Sequence, residues 1–257
     1  MSHFSAIGIQ LEPGQDLGDL ADRFAPLARP LEVPGLGTYW HWSDPSGAEM
    51  WIQVNEDDEL IGMNPHYAGQ SVVRVGLTAR IPSSTSSELD GSFYGWGAPT
   101  SESTDFESTG RYTILFDVPD YRLHDELALP ALQMVQIVAF AHDCEVFETV
   151  AAFNTRSTEV GRLASQSFIP TGLLTEEEEA ADAQPCADAV LAGHVVAAEQ
   201  KINSLTGIPF YWALVESYEA TYDVVIAQDL LATPPAVGGV ITGSFWLSGR
   251  IISALQR

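Results

Sequence analysis

Apolar and polar positions along this chain mostly alternate, and a helical period is clear only once. From Ser71, in S-V-V-R-V-G-L-T-A-R-I, Val73, Val75 and Leu77 alternate with Arg74, Gly76 and Thr78, which predicts a half-buried strand. The runs H-F-S-A-I-G-I-Q-L at 3–11, R-Y-T-I-L-F-D-V at 111–118 and Q-S-F-I-P-T-G at 166–172 predict further strands. Leu17, Leu20, Phe24 and Leu27 recur at spacings of three and four, predicting an amphipathic helix that Asp16 or Gln15 caps and Pro26 weakens at its last turn. T-Y-W-H-W-S and A-E-M-W-I-Q-V flank D-P-S-G, a turn by composition, so a hairpin is expected. N-E-D-D-E makes an acidic tip, and L-I-G-M-N-P-H-Y returns extended because Asn64 precedes proline. Residues 82–110, rich in Ser, Thr, Gly and Pro, read as a long loop around S-F-Y-G-W-G; residues 119–130 read as irregular chain or one helical turn. Residues 131–153 fit either a long helix or a strand pair hinged near His142–Asp143, and the β-branched content favours the pair.

The last third, from Val190 to Ile252, is a series of runs rich in Val, Ile and aromatics, broken by Gly, Pro, Asn and Asp. Its four to five expected strands, with glycines in V-G-G-V-I-T-G-S-F-W-L-S-G-R to permit curvature, resemble an OB-fold in outline. Between this region and the front of the chain lies T-E-E-E-E-A-A-D-A-Q-P-C, where Thr175 and Glu178 match a capping box. The expected organisation is a sheet-dominated α+β domain over residues 1–174, an acidic helical linker over 175–188, and a small OB-like β-barrel over 189–257. Near the front, W-S-D-P-S-G-A-E-M-W-I-Q is similar to the D-P-x-G hairpin of glyoxalase-like (vicinal-oxygen-chelate) modules. That likeness covers about a fifth of the chain. The metal-binding glutamate of such modules would fall on Trp51, so no function is carried over.

Composition narrows the class. Hydrophobic residues make up 46% of the 257 and charged residues 18%, which favours a packed core over disorder. No run reaches the roughly 20 apolar residues of a membrane helix, and the first residues lack the basic region of a secretory signal, so a soluble cytoplasmic protein is expected. Cys144 and Cys186 have no metal or redox spacing and read as free thiols. The formal charge of −24 repels phosphate backbones and anionic lipid. Partners expected are therefore a protein or a small uncharged or cationic ligand, with nucleic acid disfavoured, no membrane, and association between copies plausible from the high apolar content. No cofactor motif is present: no Walker loop, no G-x-G-x-x-G after a strand, no G-x-S-x-G.

Two groups of residues offer chemistry. His41, Glu49 and His66, in and after the hairpin, would converge if their strands are neighbours, with or without a divalent metal between them. In H-D-C-E, His142 and Cys144 share a face if the stretch is a strand, although Asp143 and Glu145 oppose a thiolate. For ligand binding, Tyr94 and Trp96 stand between glycines that let a flat molecule approach, and Tyr211, Trp212, Tyr218, Tyr222, Trp246 and Arg250 are the aromatic and cationic candidates of the last third. With no complete catalytic constellation, the expected function is a non-catalytic ligand-binding or protein-interaction module. A small-molecule enzyme with its pocket near the 38–66 hairpin is the alternative, and single-stranded nucleic-acid binding comes third.

Overall fold

The computed structural model describes residues 3–83, 87–160, 163–173 and 184–252. About 49% of the chain is strand and 16% helix, arranged in two sheets, which makes the protein a sheet-dominated α+β fold. Among the described residues no helix is long and apolar enough to cross a membrane. The stretch expected as a strand over 3–11 is instead a 3-10 turn, His3–Ile7. It finds no strand to pair with and satisfies its backbone locally: Gly8, at φ +72°, donates to Ser5, and Ile9 donates to Phe4. Ala6, Ile7 and Ile9 are buried and anchor it.

Helix α1, Leu17–Phe24, begins where its cap predicts. Asp16 accepts from the Asp19 amide at 3.1 Å while the Asp19 carboxylate accepts from the Asp16 amide at 3.0 Å. Its buried face is narrower than the periodicity suggested. Leu20, Ala21 and Phe24 are in the core, whereas Leu17 and Leu27 remain exposed.

The first sheet is a four-stranded antiparallel meander of β1 (Arg29–Val33), β2 (Gly37–Ser43), β3 (Ala48–Val54) and β4 (Leu60–Tyr67). The D-P-S-G hairpin sits between β2 and β3 in the register Ser43↔Glu49, and Gly47 takes the φ of +99° that the turn requires. β1 had no signal of its own. Strand β3 is buried almost throughout because the second sheet and α1 cover one face and its own sheet-side cluster covers the other.

The second sheet contains β5 (Val73–Pro82), β6 (Gly91–Gly97), β7 (Tyr112–Asp117), β8 (Ala131–Phe147), β9 (Ser167–Ile169), β10 (Asp188–Ile202), β11 (Pro209–Ser217), β12 (Ala220–Ala227) and β13 (Val240–Ile251). The short helix α2, Phe106–Thr109, lies between β6 and β7, and α3, Val150–Val160, follows β8. Pairing runs β11-β12-β8-β5-β6-β7-β13-β10 and returns to β11, a ring of eight strands with β8 and β13 also bonded to each other across it.

Three expectations change here. The S-F-Y-G-W-G run, expected as a short run within a long loop, is the strand β6, paired on both edges by β5 and β7. Residues 131–147 are one continuous strand rather than a pair; the expected hinge is a register shift, with Asp143 opposite Ser244 and Ala141 opposite Phe245. The residues after it, expected to continue the extended pair to 153, start α3. Finally, β10–β13 do not close on themselves as an OB-like barrel. β13 lies antiparallel to β8 along its length and meets β7 at Ser248↔Asp117, while β12 runs parallel to β8 through Asp223↔Val138. The physical reason is the length and burial of β8: its centre, from Val135 to Ala141, is buried and needs apolar strands on both edges. Residues 174–183, most of the expected acidic linker, lie outside the described residues; Gln184–Ala187 are non-helical and lead directly into β10.

Candidate functional site

His41, Glu49 and His66 do meet, in a polar seam where the two sheets face each other. β2, β3 and β4 bring them together, with Glu49 opposite His66 in register and His41 opposite Trp51. His41 Nε2 lies 3.2 Å from Glu49 Oε1, and its ring stacks on Trp51 at 4.0 Å between centroids. Arg250, on β13, reaches in from the second sheet. Its Nη1 is 3.5 Å from Glu49 Oε2, its Nε donates to Asp120 Oδ2 at 3.4 Å, and its guanidinium lies over the Trp51 ring. Burial alone would raise the Glu49 carboxyl, but His41, His66 and Arg250 outweigh it and hold the group below its ordinary value. Asp120 behaves alike: burial opposes ionisation, and His124 and Arg250 prevail.

His66 has no free ring nitrogen. Nε2 is 2.9 Å from Gln136 Oε1 and Nδ1 is 2.8 Å from Ser248 Oγ. Gln136 donates its amide N–H to Asp223 at 2.8 Å, so its oxygen faces His66 and must accept from Nε2–H; Nδ1 then accepts the Ser248 hydroxyl proton. Burial, with Arg250 nearby, lowers the His66 pKa to about 4, keeping the imidazole neutral. Ser248, His66, Gln136 and Asp223 form a continuous buried relay from β4 across β13 and β8 to β12. None of the four lines the cleft described next, so the relay ties the sheets together rather than presenting a nucleophile. For the same reason His66 cannot turn a lone pair to a metal shared with His41 and Glu49 without breaking two hydrogen bonds. Among the described residues no group of three His, Cys, Asp or Glu side chains is placed to hold a metal ion.

Arg250 joins the seam's carboxylates Glu49 and Asp120 across the sheets. Arg250→Met is expected to lower stability by about 2 kcal/mol. That is less than the loss of a fully buried pair, because Arg250 is 34% exposed. A urea midpoint equal to that of the unmodified protein would count against this role.

Beside the seam, the edges of both sheets and the His3–Ile7 turn enclose a cleft of about 740 Å3. Its chemistry comes from three carboxylates at strand ends. Asp117, closing β7, accepts from Ser92 Oγ at 2.5 Å and from Trp246 Nε1 at 2.6 Å. Asp90, just before β6, accepts from Gln53 and Asn64 on one oxygen, at 2.5 and 2.6 Å. Asp188, opening β10, lies 3.3 Å from His142 Nε2 and accepts from the Cys186 thiol at 3.1 Å. Burial pushes the Asp117 carboxyl above its ordinary value, and the charges of Asp90 and Asp188 add to the shift. Among the described residues no lysine or arginine lines this cleft.

The other expected site residues are dispersed. His142 and Trp246 line the cleft, but Cys144 does not, and burial with Asp143 beside it pushes its thiol up to about 12, well away from a reactive thiolate. Tyr94 and Trp96 are half-buried on β6 and contribute nothing to the cleft. The aromatics of the last third do not form a platform. Trp212 is buried with its N–H on Asp223, Tyr222 is buried with its hydroxyl on Tyr112, Tyr211 packs against the core, and the exposed Tyr218 sets its ring edge-on to Tyr112. Trp212 and Tyr222 serve as core, as strand alternation requires. Reading the sequence missed Asp90, Asp117, Asp188, Asp120 and His3. Isolated aspartates at strand ends carry no spacing signal; only the change from a β run to a turn at each could have marked them.

Comparison of the chain with protein-family models, with curated proteins and with solved structures finds no match.

Proposed function

We propose that the protein is a non-catalytic binding module and that the cleft between its sheets receives a small organic ligand carrying positive charge. The observation that carries this reading is the lining itself: three carboxylates from three different strand ends converge on one cleft with no lysine or arginine among the described residues to balance them. Like charges gathered at a partly buried surface oppose one another's ionisation, and a bound cation relieves that opposition. The volume suits a small molecule. The overall charge of −24 adds a field that concentrates cations near the surface. Neither cysteine supports covalent chemistry, since both thiols are raised above their ordinary values, chiefly by burial.

The test is titration of the protein with an organic diamine, an aryl amidinium and a carboxylate of matched size, followed by amide chemical shifts. Both cations are expected to move resonances of the cleft residues, and the carboxylate is not. Asp188→Asn with Asp90→Asn should weaken cation binding by about tenfold or more, the scale of one lost charge-assisted contact. Shifts confined to other surfaces, or equal binding of the carboxylate, would refute the proposal.

A further inference from the structure

Part of the cleft is a slot already filled by a ring of the chain itself. The His3 imidazole lies flat on Trp246, with centroids 4.4 Å apart and planes inclined by 3°. His142 meets it edge-on at 5.0 Å, and Phe140 closes the slot at 6.2 Å. Trp246 is in turn fixed by its N–H on Asp117, and His142 by Asp188, so the walls are held by the cleft's own carboxylates. Among the described residues no hydrogen bond holds the His3 ring; it is seated by ring contacts with Trp246, His142 and Phe140. Its backbone anchor lies farther along the turn, at the buried Ala6 and Ile7, while His3 itself is only half-buried. The ring can therefore leave the slot without unseating the turn.

The occupant matches the slot in shape but not in charge. An indole face with carboxylates beside it favours a flat cation. Yet burial, with His142 beside it, lowers the His3 pKa to about 4, so at neutral pH the ring brings no positive charge to Asp188 or Asp117.

We infer that the Trp246–Phe140–His142 slot is the seat of a flat aromatic cation, such as an aryl amidinium or a permanently charged nitrogen heterocycle, and that His3 is an internal plug which such a ligand displaces. The inference rests on the reading of the cleft as a ligand site and goes further by naming the ligand's chemical class and the gate it must open.

Benzamidine is the probe, with benzyl alcohol as its neutral counterpart and 1,4-diaminobutane as a cation without a ring. In His3→Ala, benzamidine is expected to bind about tenfold tighter than to the unmodified protein, because stacking and cation–π contact no longer compete with the plug. Adding Asp188→Asn should abolish that gain, and neither benzyl alcohol nor diaminobutane should show it. If His3→Ala does not fold, two measurements still decide the matter. His3→Phe, which keeps a ring on Trp246, must bind benzamidine no tighter than the unmodified protein. In the unmodified protein, saturation with benzamidine must replace the NOEs between His3 and Trp246 by NOEs from the ligand ring. Persistence of the His3–Trp246 NOEs at saturation, or equal benzamidine affinity with and without His3, overturns the plug. In that case binding of diaminobutane leaves the cation cleft standing, whereas no binding of either cation to any variant overturns both readings.

Discussion

Asp223→Ala is expected to remove most of the protein's stability. Asp223 is fully buried, and its two oxygens accept four hydrogen bonds: from the Gln70 amide at 3.0 Å, the Ser71 amide at 2.9 Å, the Gln136 side chain at 2.8 Å and the Trp212 indole at 2.8 Å. Alanine leaves four donors without this acceptor, three of them on the buried residues Ser71, Gln136 and Trp212. Each buried donor costs roughly 1–3 kcal/mol, so the total is at least about 3 kcal/mol, a large part of the whole stability of many domains. The substitution also cuts the relay through Gln136 to His66, which connects the first sheet to the second. Asp223→Asn keeps the shape but turns one N–H group toward existing donors, so its cost should fall between that of alanine and none. Urea unfolding followed by tryptophan fluorescence measures both. An alanine variant with an unchanged midpoint would show that these donors find other partners and that the relay does not hold the sheets. The same carboxylate sets the limit at Gly69, where an added Cβ would collide with the Asp223 carboxylate.

Acid is expected to destabilise the fold from about pH 6.5 downward, through a buried neutral histidine. The His66 pKa is about 4 in the folded protein against 6.5 for the ordinary group. Its folded pKa is depressed, so the unfolded chain takes up a proton first as the pH falls. The full contribution is present above about pH 6.5 and is lost progressively down to about pH 4, amounting to about 3 kcal/mol. His3 is lowered in the same sense and adds to the slope, though less, since it is partly exposed. Glu49, Asp120 and Asp44, whose pKa values lie below their ordinary ones, lose their contributions only at lower pH. Asp117, raised above its ordinary value, acts in the opposite direction in that acid range. Denaturant midpoints at pH 7.5, 6 and 4.5 should therefore decrease, and a folded His66→Gln variant should show a markedly shallower decrease. A flat profile across that interval would mean that His66 is not neutral inside the relay.

How much of this was legible differs between elements and contacts. Val73, Val75 and Leu77 on β5 are buried as their alternation predicted, and the Asp16 cap stands where α1 begins, because both signals are written within a few residues. The hairpin register puts Glu49 opposite His66, and His41 lies 3.2 Å from Glu49. The chemical meaning of this arrangement was not legible: the sequence does not show that Ser248, from 182 residues farther on, and Gln136 occupy both imidazole nitrogens. In sequence Arg250 is a candidate ligand contact, whereas the structure uses it as a counter-ion for Glu49 and Asp120. In sequence Trp246 offers only a ring, whereas the structure makes it both a wall of the cleft and a donor to Asp117.

Local pattern therefore determined that this chain would be sheet-dominated, that the amphipathic helix of Leu20 and Phe24 would start after Asp16, and that D-P-S-G at 44–47 would turn. These outcomes depend on backbone preferences and side-chain period, which act over a few residues. Partner choice among strands was decided only in three dimensions. A strand's open edges accept any apolar strand of suitable length, and β13 pairs with β10 on one edge and with β8 on the other. The cleft followed from that choice, since Asp90, Asp117 and Asp188 become neighbours only when β6, β7, β13 and β10 lie side by side.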